Sequence, residues 1–197
     1  MARRPPVRSA GIAVLRAGAD GHQLFLVHPG GPFWSGKDEH AWSIPKGVVE
    51  SARGDRAPTD GHGDGDGDGD GDGDGDGDEP TVAALEATAR REFTEEIGQP
   101  VPPGELVALP PFRIASGKWL HPFALVVGPD DGPDATSVVS NAFEVEWPPR
   151  SGRLQSFPEV DRAAWFTLDE ARIRLHKGQV ALVDLLVPVV SPPDERR

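Results

Sequence analysis

Hydrophobic positions along the chain follow two different periods. Residues 9–16 carry the apolar run Ile12, Ala13, Val14 and Leu15, and residues 23–28 carry Leu24, Phe25, Leu26 and Val27. Runs this short read as strands, and the Gly- and Asp-containing turn at 17–21 makes the pair a hairpin. A third, shorter strand at 41–49 is broken by Pro45 and Gly47. From 80 to 97 the period changes, with Val82, Leu85, Ala89, Phe93 and Ile97 forming the stripe of an amphipathic helix. Pro80 suits its first turn, Asp78 and Glu79 lie beside its positive end, and Gly98 stands where a left-handed C-cap is needed. Strands are predicted again at 105–109, 119–127, 143–147 and 157–166. The alternation at 143–147 puts Glu144 and Glu146 on one face and Phe143, Val145 and Trp147 on the other. Thr167 and Glu170 have capping-box spacing for a helix to about residue 175, and a last helix is expected at 179–186. Helices flanking strands in this order predict an α/β/α layered domain with a mixed sheet.

Between the third strand and the long helix this patterning stops. Residues 63–78 are eight consecutive Gly-Asp pairs, and residues 51–79 offer little to bury. Glycine maximises backbone entropy and aspartate adds repulsion, so the stretch reads as a disordered acidic insertion. Loop closure costs rise slowly with length, and a fold tolerates such an insert. The organisation expected is a tail at 1–8, a domain at 9–186 interrupted at 51–79, and a Pro- and charge-rich tail at 187–197.

The charge changes meaning once it is located. Of a net −12, residues 50–80 contribute −10 through twelve acidic and two basic residues. The remainder is nearly neutral, so the acidity says little about a site, although it argues against general affinity for nucleic acid backbones. With no cysteine, disulfides, thiolate metal sites and thiol nucleophiles are excluded. The apolar run at 11–15 is too short for a signal-peptide core or a membrane span, so a soluble cytoplasmic protein with no membrane partner is expected.

Chemistry concentrates on the long helix. Glu92, Glu95 and Glu96 project into one arc of roughly 100° at 3.6 residues per turn. Like charges at these spacings repel by a few tenths of a kcal/mol per pair in a bare helix. A cation placed among them removes that penalty, and a hard ion such as Mg²⁺ (or Mn²⁺) binds carboxylates, waters and substrate phosphates. The bland reading is a solvated acidic face.

Arg91-Glu92-Phe93-Thr94-Glu95-Glu96-Ile97-Gly98, read with Trp42-Ser43-Ile44-Pro45-Lys46-Gly47 upstream, resembles the signature of the Nudix hydrolases, Gly-x5-Glu-x7-Arg-Glu-(apolar)-x-Glu-Glu-x-Gly-(apolar). The second half matches from Arg91 to Gly98, with Gln99 at the final apolar position. The first half departs: counting forward from Gly47 reaches Arg53, and counting back from Arg91 reaches Ala83. Glu50 stays before the insertion, and Glu79 resumes one turn early. The resemblance implies a Nudix-type α/β/α sandwich, α/β (α+β), with a catalytic loop-helix-loop, and metal-dependent hydrolysis of a nucleoside diphosphate linked to another group. It implies Gly47, Glu92, Glu95 and Glu96 as metal ligands, the last three also as catalytic groups, Lys46 near the pyrophosphate, and Arg91 orienting a carboxylate. Trp42–Gly47 and the late Phe-Pro-Glu-Val look similar to small bacterial members near the dinucleoside-polyphosphate hydrolases. Dinucleoside polyphosphates or nucleoside triphosphates are favoured, with nucleotide sugars and RNA 5′ ends open.

Outside the signature, Glu146 is the expected additional ligand or general base. Trp34 and Lys37, in the loop at 29–40, are candidates for stacking a nucleobase and meeting a phosphate, against the alternative that Phe33 and Trp34 cap the core. His28 is expected to be a strand-end residue. Two other classes remain: a nucleotide-sensing module of the same fold without turnover, and a calcium-binding loop at the Gly-Asp repeat, which lacks the closing Glu and apolar positions of an EF-hand.

Overall fold

The computed structural model describes residues 6–49, 79–114 and 117–191. The predicted Gly-Asp loop, Glu50, Asp78, the first residues of the N-terminal tail and residues 192–197 of the C-terminal tail lie outside the described residues.

Strand β1 (Arg8–Gly18) organises the sheet, because its continuous apolar run needs cover on both faces and partners on both edges. It pairs in antiparallel register with β2 (Gly21–Pro29) and with β3 (Lys46–Val48), and in parallel register with β6 (Trp119–Val127). Strand β4 (Val107–Ala108) and β5 (Phe112–Arg113) both lie against β6, while β9 (Val160–Thr167) closes the far edge on β2. The result is a seven-stranded mixed sheet.

The pleat then divides the core. Ala13, Leu15, Leu24 and Leu26 pack with Ala171 of α2 (Leu168–Arg174) and with Leu182, Val183 and Leu186 of α3 (Ala181–Val190). On the opposite face Ile12, Val14, Phe25, Phe123 and Leu125 meet Leu85, Ala89, Phe93 and Ile97 of α1 (Val82–Ile97). Three layers follow, as the alternation of helices and strands predicts. Outside the main sheet, β7 (Ala142–Glu146) and β8 (Leu154–Pro158) form a separate hairpin.

Several predicted elements change at their ends. Thr81 caps α1 by accepting from the Ala84 amide at 3.2 Å, so Pro80 precedes the cap. Val82 is 60% exposed; as the first helical residue it lies ahead of the turn that reaches the sheet. The predicted strand at 105–109 shrinks to two residues, because Pro110 and Pro111 have no amide to donate, and pairing resumes at β5. The predicted strand at 157–166 splits at Glu159, one part joining β7 and the other β2. Helix α3 runs through Pro188 to Val190, into the predicted tail, because Val189 and Val190 pack against the core and offset the missing hydrogen bond.

Candidate active site

Burial of Phe93 and Ile97 sets the rotation of α1, and the adjoining arc of the helix faces β3. A Cβ built at Gly47 would overlap the Glu92 carboxyl group, so only glycine lets this backbone lie against that carboxylate. One residue earlier, the Lys46 amide donates to Glu96 Oε2 at 3.0 Å. The two halves of the sequence motif, separated by the long insertion, thus meet at β3 and α1.

Arg91 spans two of the three carboxylates. Its Nη2 lies 2.7 Å from Glu92 Oε1, and its Nη1 lies 3.0 Å from Glu95 Oε2. Glu92 keeps 15% of its side-chain exposure, against 43% for Glu95. Burial raises the Glu92 pKa, with Glu95 and Glu159 adding repulsion and Arg91 opposing. Burial pushes Glu96 up to about 7, offset in part by the charge and amide of Lys46 and reinforced by Glu92 and Glu159. Both carboxyl groups are half-buried, Glu92 beside the Arg91 guanidinium and Glu96 against the Lys46 amide.

The fourth carboxylate is one that sequence reasoning passed over. Glu159 sits at the break between β8 and β9, its amide donating to Asn141 O at 2.8 Å and its carbonyl accepting from the Gly30 amide at 2.9 Å. Its charge acts on both Glu92 and Glu96. The signal was present in Phe-Pro-Glu-Val, where a glutamate follows a proline at the mouth of an apolar run. Nothing in the local pattern says that β9 returns this residue to the α1 side.

Other predicted residues lie elsewhere. Glu146 ends β7, and its Oε1 accepts from the Gly152 amide at 2.8 Å, closing the hairpin turn. Glu79 is 84% exposed and pairs with Arg8 at 2.8 Å; it is not among the groups that act on Glu92 or Glu96. Trp34 packs with the core on the α2 and α3 side, and the Lys37 ammonium lies 4.9 Å from its ring centroid. The structure thus brings Trp34 and Lys37 to each other. His28 is fully buried, with Nδ1 2.7 Å from Asp161 Oδ1 and Nε2 2.9 Å from Lys37 O, so it ties the 29–40 loop to β9.

The donor set suits a hard divalent ion: carboxylate oxygens of the half-buried Glu92 and Glu96 and of the more exposed Glu95, and a glycine backbone with no side chain in the way. As they stand, the described residues contain no cluster of three acidic or imidazole groups arranged to hold a metal. Arg91 bridges two of the carboxylates and supplies positive charge there.

A family model for the NUDIX domain matches residues 75–186. The chain belongs to the Nudix family. Membership supports a Nudix pyrophosphohydrolase, and this chain carries Glu92, Glu95 and Glu96 of the signature in place. Among solved structures, a MutT/Nudix family protein from Listeria innocua is 14% identical over 95% of this chain and 96% of its own, with a TM-score of 0.51. An Ap4A hydrolase from C. elegans in a binary complex is 16% identical over 93% and 96%, with a TM-score of 0.48. The Nudix domain of NrtR from Shewanella oneidensis, complexed with ADP ribose, is 12% identical over 96% and 91%, with a TM-score of 0.49. These likenesses concern the fold. No curated protein matches the sequence. Among the described residues no helix is long and apolar enough to cross a membrane.

Proposed function

We propose that this Nudix protein hydrolyses a pyrophosphate bond within a nucleoside diphosphate linked to another group, using Mg²⁺ or Mn²⁺, with a dinucleoside polyphosphate or nucleoside triphosphate as substrate. The observation that carries the reading is the pair of half-buried carboxylates, Glu92 and Glu96, set against the Lys46-Gly47 backbone. Burying charge without compensation is costly. A divalent ion and the phosphates that it brings are a natural complement.

Glu92, Glu95, Glu96 and the backbone of Gly47 would hold the ion, which would neutralise charge on the phosphate oxygens and so open the phosphorus to attack. The chain's own groups supply the rest. Lys46 brings its charge beside Glu96 and lies where a phosphate oxygen docks. Arg91 keeps Glu92 and Glu95 in fixed orientation. Water forms the new P–O bond as the bridging P–O bond breaks; Glu96 or Glu159 accepts its proton, and the departing phosphate carries away the bond's electron pair. Among the carboxylates outside α1, the electrostatic reach of Glu159 supports it over Glu146 for this task.

A sensing module is the second reading, favoured by the diversion of Glu79 to Arg8 in a chain whose early signature glutamate is out of register. One experiment separates the two. The protein is incubated with Mg²⁺ or Mn²⁺ and diadenosine tetraphosphate, nucleoside triphosphates, ADP-ribose, nucleotide sugars and 5′-triphosphorylated RNA, beside a Glu95→Gln, Glu96→Gln control. Metal-dependent products that vanish in the control are expected. Binding without turnover across the panel overturns hydrolysis in favour of sensing.

A further inference from the structure

Glu159 falls at the break between β8 and β9, so loop contacts set its place. Its carbonyl accepts from the Gly30 amide on one side, and its amide donates to Asn141 O at 2.8 Å on the other. Asn141 ends the connection between β6 and β7, residues 128–141, which consists of turns and loop. That connection is tied to the end of α1 at two points.

The first tie is Gln99, the residue that stands where the signature carries an apolar one. Its Nε2 donates to Asp134 O at 2.8 Å, and its Oε1 accepts from the Asp134 amide at 2.9 Å. One side-chain amide thus satisfies both backbone groups of one residue, which an apolar side chain cannot do. The Asp134 carboxylate turns the other way, accepting from the Thr136 amide and from the Thr136 and Ser137 hydroxyls at 2.8, 2.7 and 2.7 Å. Residues 134–137 therefore form a closed turn hung on Gln99. The second tie is the Val139 amide, which donates to Ile97 O at 3.1 Å. Between the two ties, Ala135 and Val138 pack against the core on the α1 side.

From there the connection reaches Glu159 within two residues. Ser140 Oγ accepts from the Val160 amide at 2.9 Å, and Asn141 O holds the Glu159 amide. Val139 to Asn141 spans at most about 7 Å. Ile97, next to Glu96, and Glu159 are thus joined by two hydrogen bonds and one short length of chain. The action of the Glu159 charge on Glu92 and Glu96 agrees with that nearness.

We propose that Gln99 is a positioning residue for Glu159, holding the 134–141 segment so that the Glu159 carboxyl group keeps its place relative to the α1 carboxylates. This deepens the proposed function and rests on it for the share of Glu159 in proton transfer. Gln99 acts through the connection, with Ser140 at its far end.

Two measurements test the role. Native-state hydrogen exchange of the full chain needs no turnover. Gln99→Leu should speed exchange of the Val139, Glu159 and Val160 amides together, about 10-fold, while Phe93 in α1 keeps its wild-type protection. Steady-state rates with Mg²⁺ then use the best substrate of the panel. Gln99→Leu and Ser140→Ala should each lower kcat about 10-fold with KM within about 2-fold, because partial misplacement of a reacting group costs less than the roughly 10²-fold of a full 1 Å. Ser140→Thr, which keeps the hydroxyl, should restore the rate. In a Glu159→Gln background, Gln99→Leu should cost nothing further, since two residues that act through one group are not additive. Unchanged exchange at Glu159 and Val160 in Gln99→Leu, wild-type kcat in Glu159→Gln, or an undiminished loss when Gln99→Leu is added to Glu159→Gln overturns the positioning role. Absence of turnover across the panel, with the exchange coupling intact, overturns the hydrolase reading and leaves the link from Gln99 to Glu159 standing.

Discussion

Glu96 and Glu146 make nearly the same hydrogen bond in two different regions. Each accepts one backbone amide, Glu96 from Lys46 at 3.0 Å and Glu146 from Gly152 at 2.8 Å. At the junction of α1 and β3 the acceptor is buried, and the charges of Glu92 and Glu159 act on it. On the β7–β8 hairpin the acceptor is exposed and closes a turn. A carboxylate hydrogen-bonded to an amide is thus no mark of a functional site. What distinguishes the first region is like charge gathered where burial limits how far water relieves it.

Substitution breaks the comparison most directly. Glu96→Gln should lower kcat on the order of 10³-fold if it binds the ion or handles the proton, whereas Glu146→Gln should stay within about 3-fold. Steady-state rates with Mg²⁺ on the best substrate of the panel measure both; a comparable loss in Glu146→Gln would reverse the assignment. Next in size is Gly47→Ala, whose added methyl group must displace Glu92. A displacement of about 1 Å costs roughly 10²-fold in rate, and the same substitution at Gly152, where a Cβ meets open space, strains a left-handed turn without touching the carboxylates. Retained activity in Gly47→Ala would mean that Glu92 need not lie where it does.

A thermal measurement sharpens the same contrast with a smaller effect. Burial lifts Glu96 from its ordinary 4.5 to about 7, so the folded chain holds this proton more tightly than the unfolded one. Its contribution to stability is complete below pH 4.5 and is lost as pH rises through 7. In EDTA, the Tm of Glu96→Gln should therefore rise relative to wild type between pH 5 and 8, and Mg²⁺ should narrow the gap by neutralising the wild-type carboxylate. Scanning calorimetry of both proteins across that range checks it; a gap that ignores pH would contradict the burial. The smallest effect is expected at Val82→Ala, within about 0.5 kcal/mol in urea unfolding, against about 3–5 kcal/mol for Phe93→Ala on the same stripe.

Much of this was legible along the chain, for reasons that individual residues make plain. Leu85, Ala89, Phe93 and Ile97 repeat with the period of a helix because one face must be buried, and Gly98 ends that helix at φ 68° because an L side chain there would be strained. The pairing of Arg91 with Glu92 and Glu95 follows from spacing on one helix. The Pro110-Pro111 break could also have been read from the missing amides. Glu159 could not. Its place depends on how β8, β9 and the 29–40 loop meet, and strand patterning says which residues point together without saying which strand lies beside which.

By itself the sequence determined the helix that carries the carboxylates, the strands that form the layers and the family to which the chain belongs, because these reside in short-range periodicity and fixed spacing. The tertiary structure alone decided that Gly47 abuts Glu92, that the charge of Glu159 and not that of Glu146 acts on Glu92 and Glu96, and that Phe33 stays exposed beside a partly buried Trp34. Those relations join residues separated by tens of positions. Their energies come from burial and from charge acting through space, which exist only once the sheet has brought distant segments together.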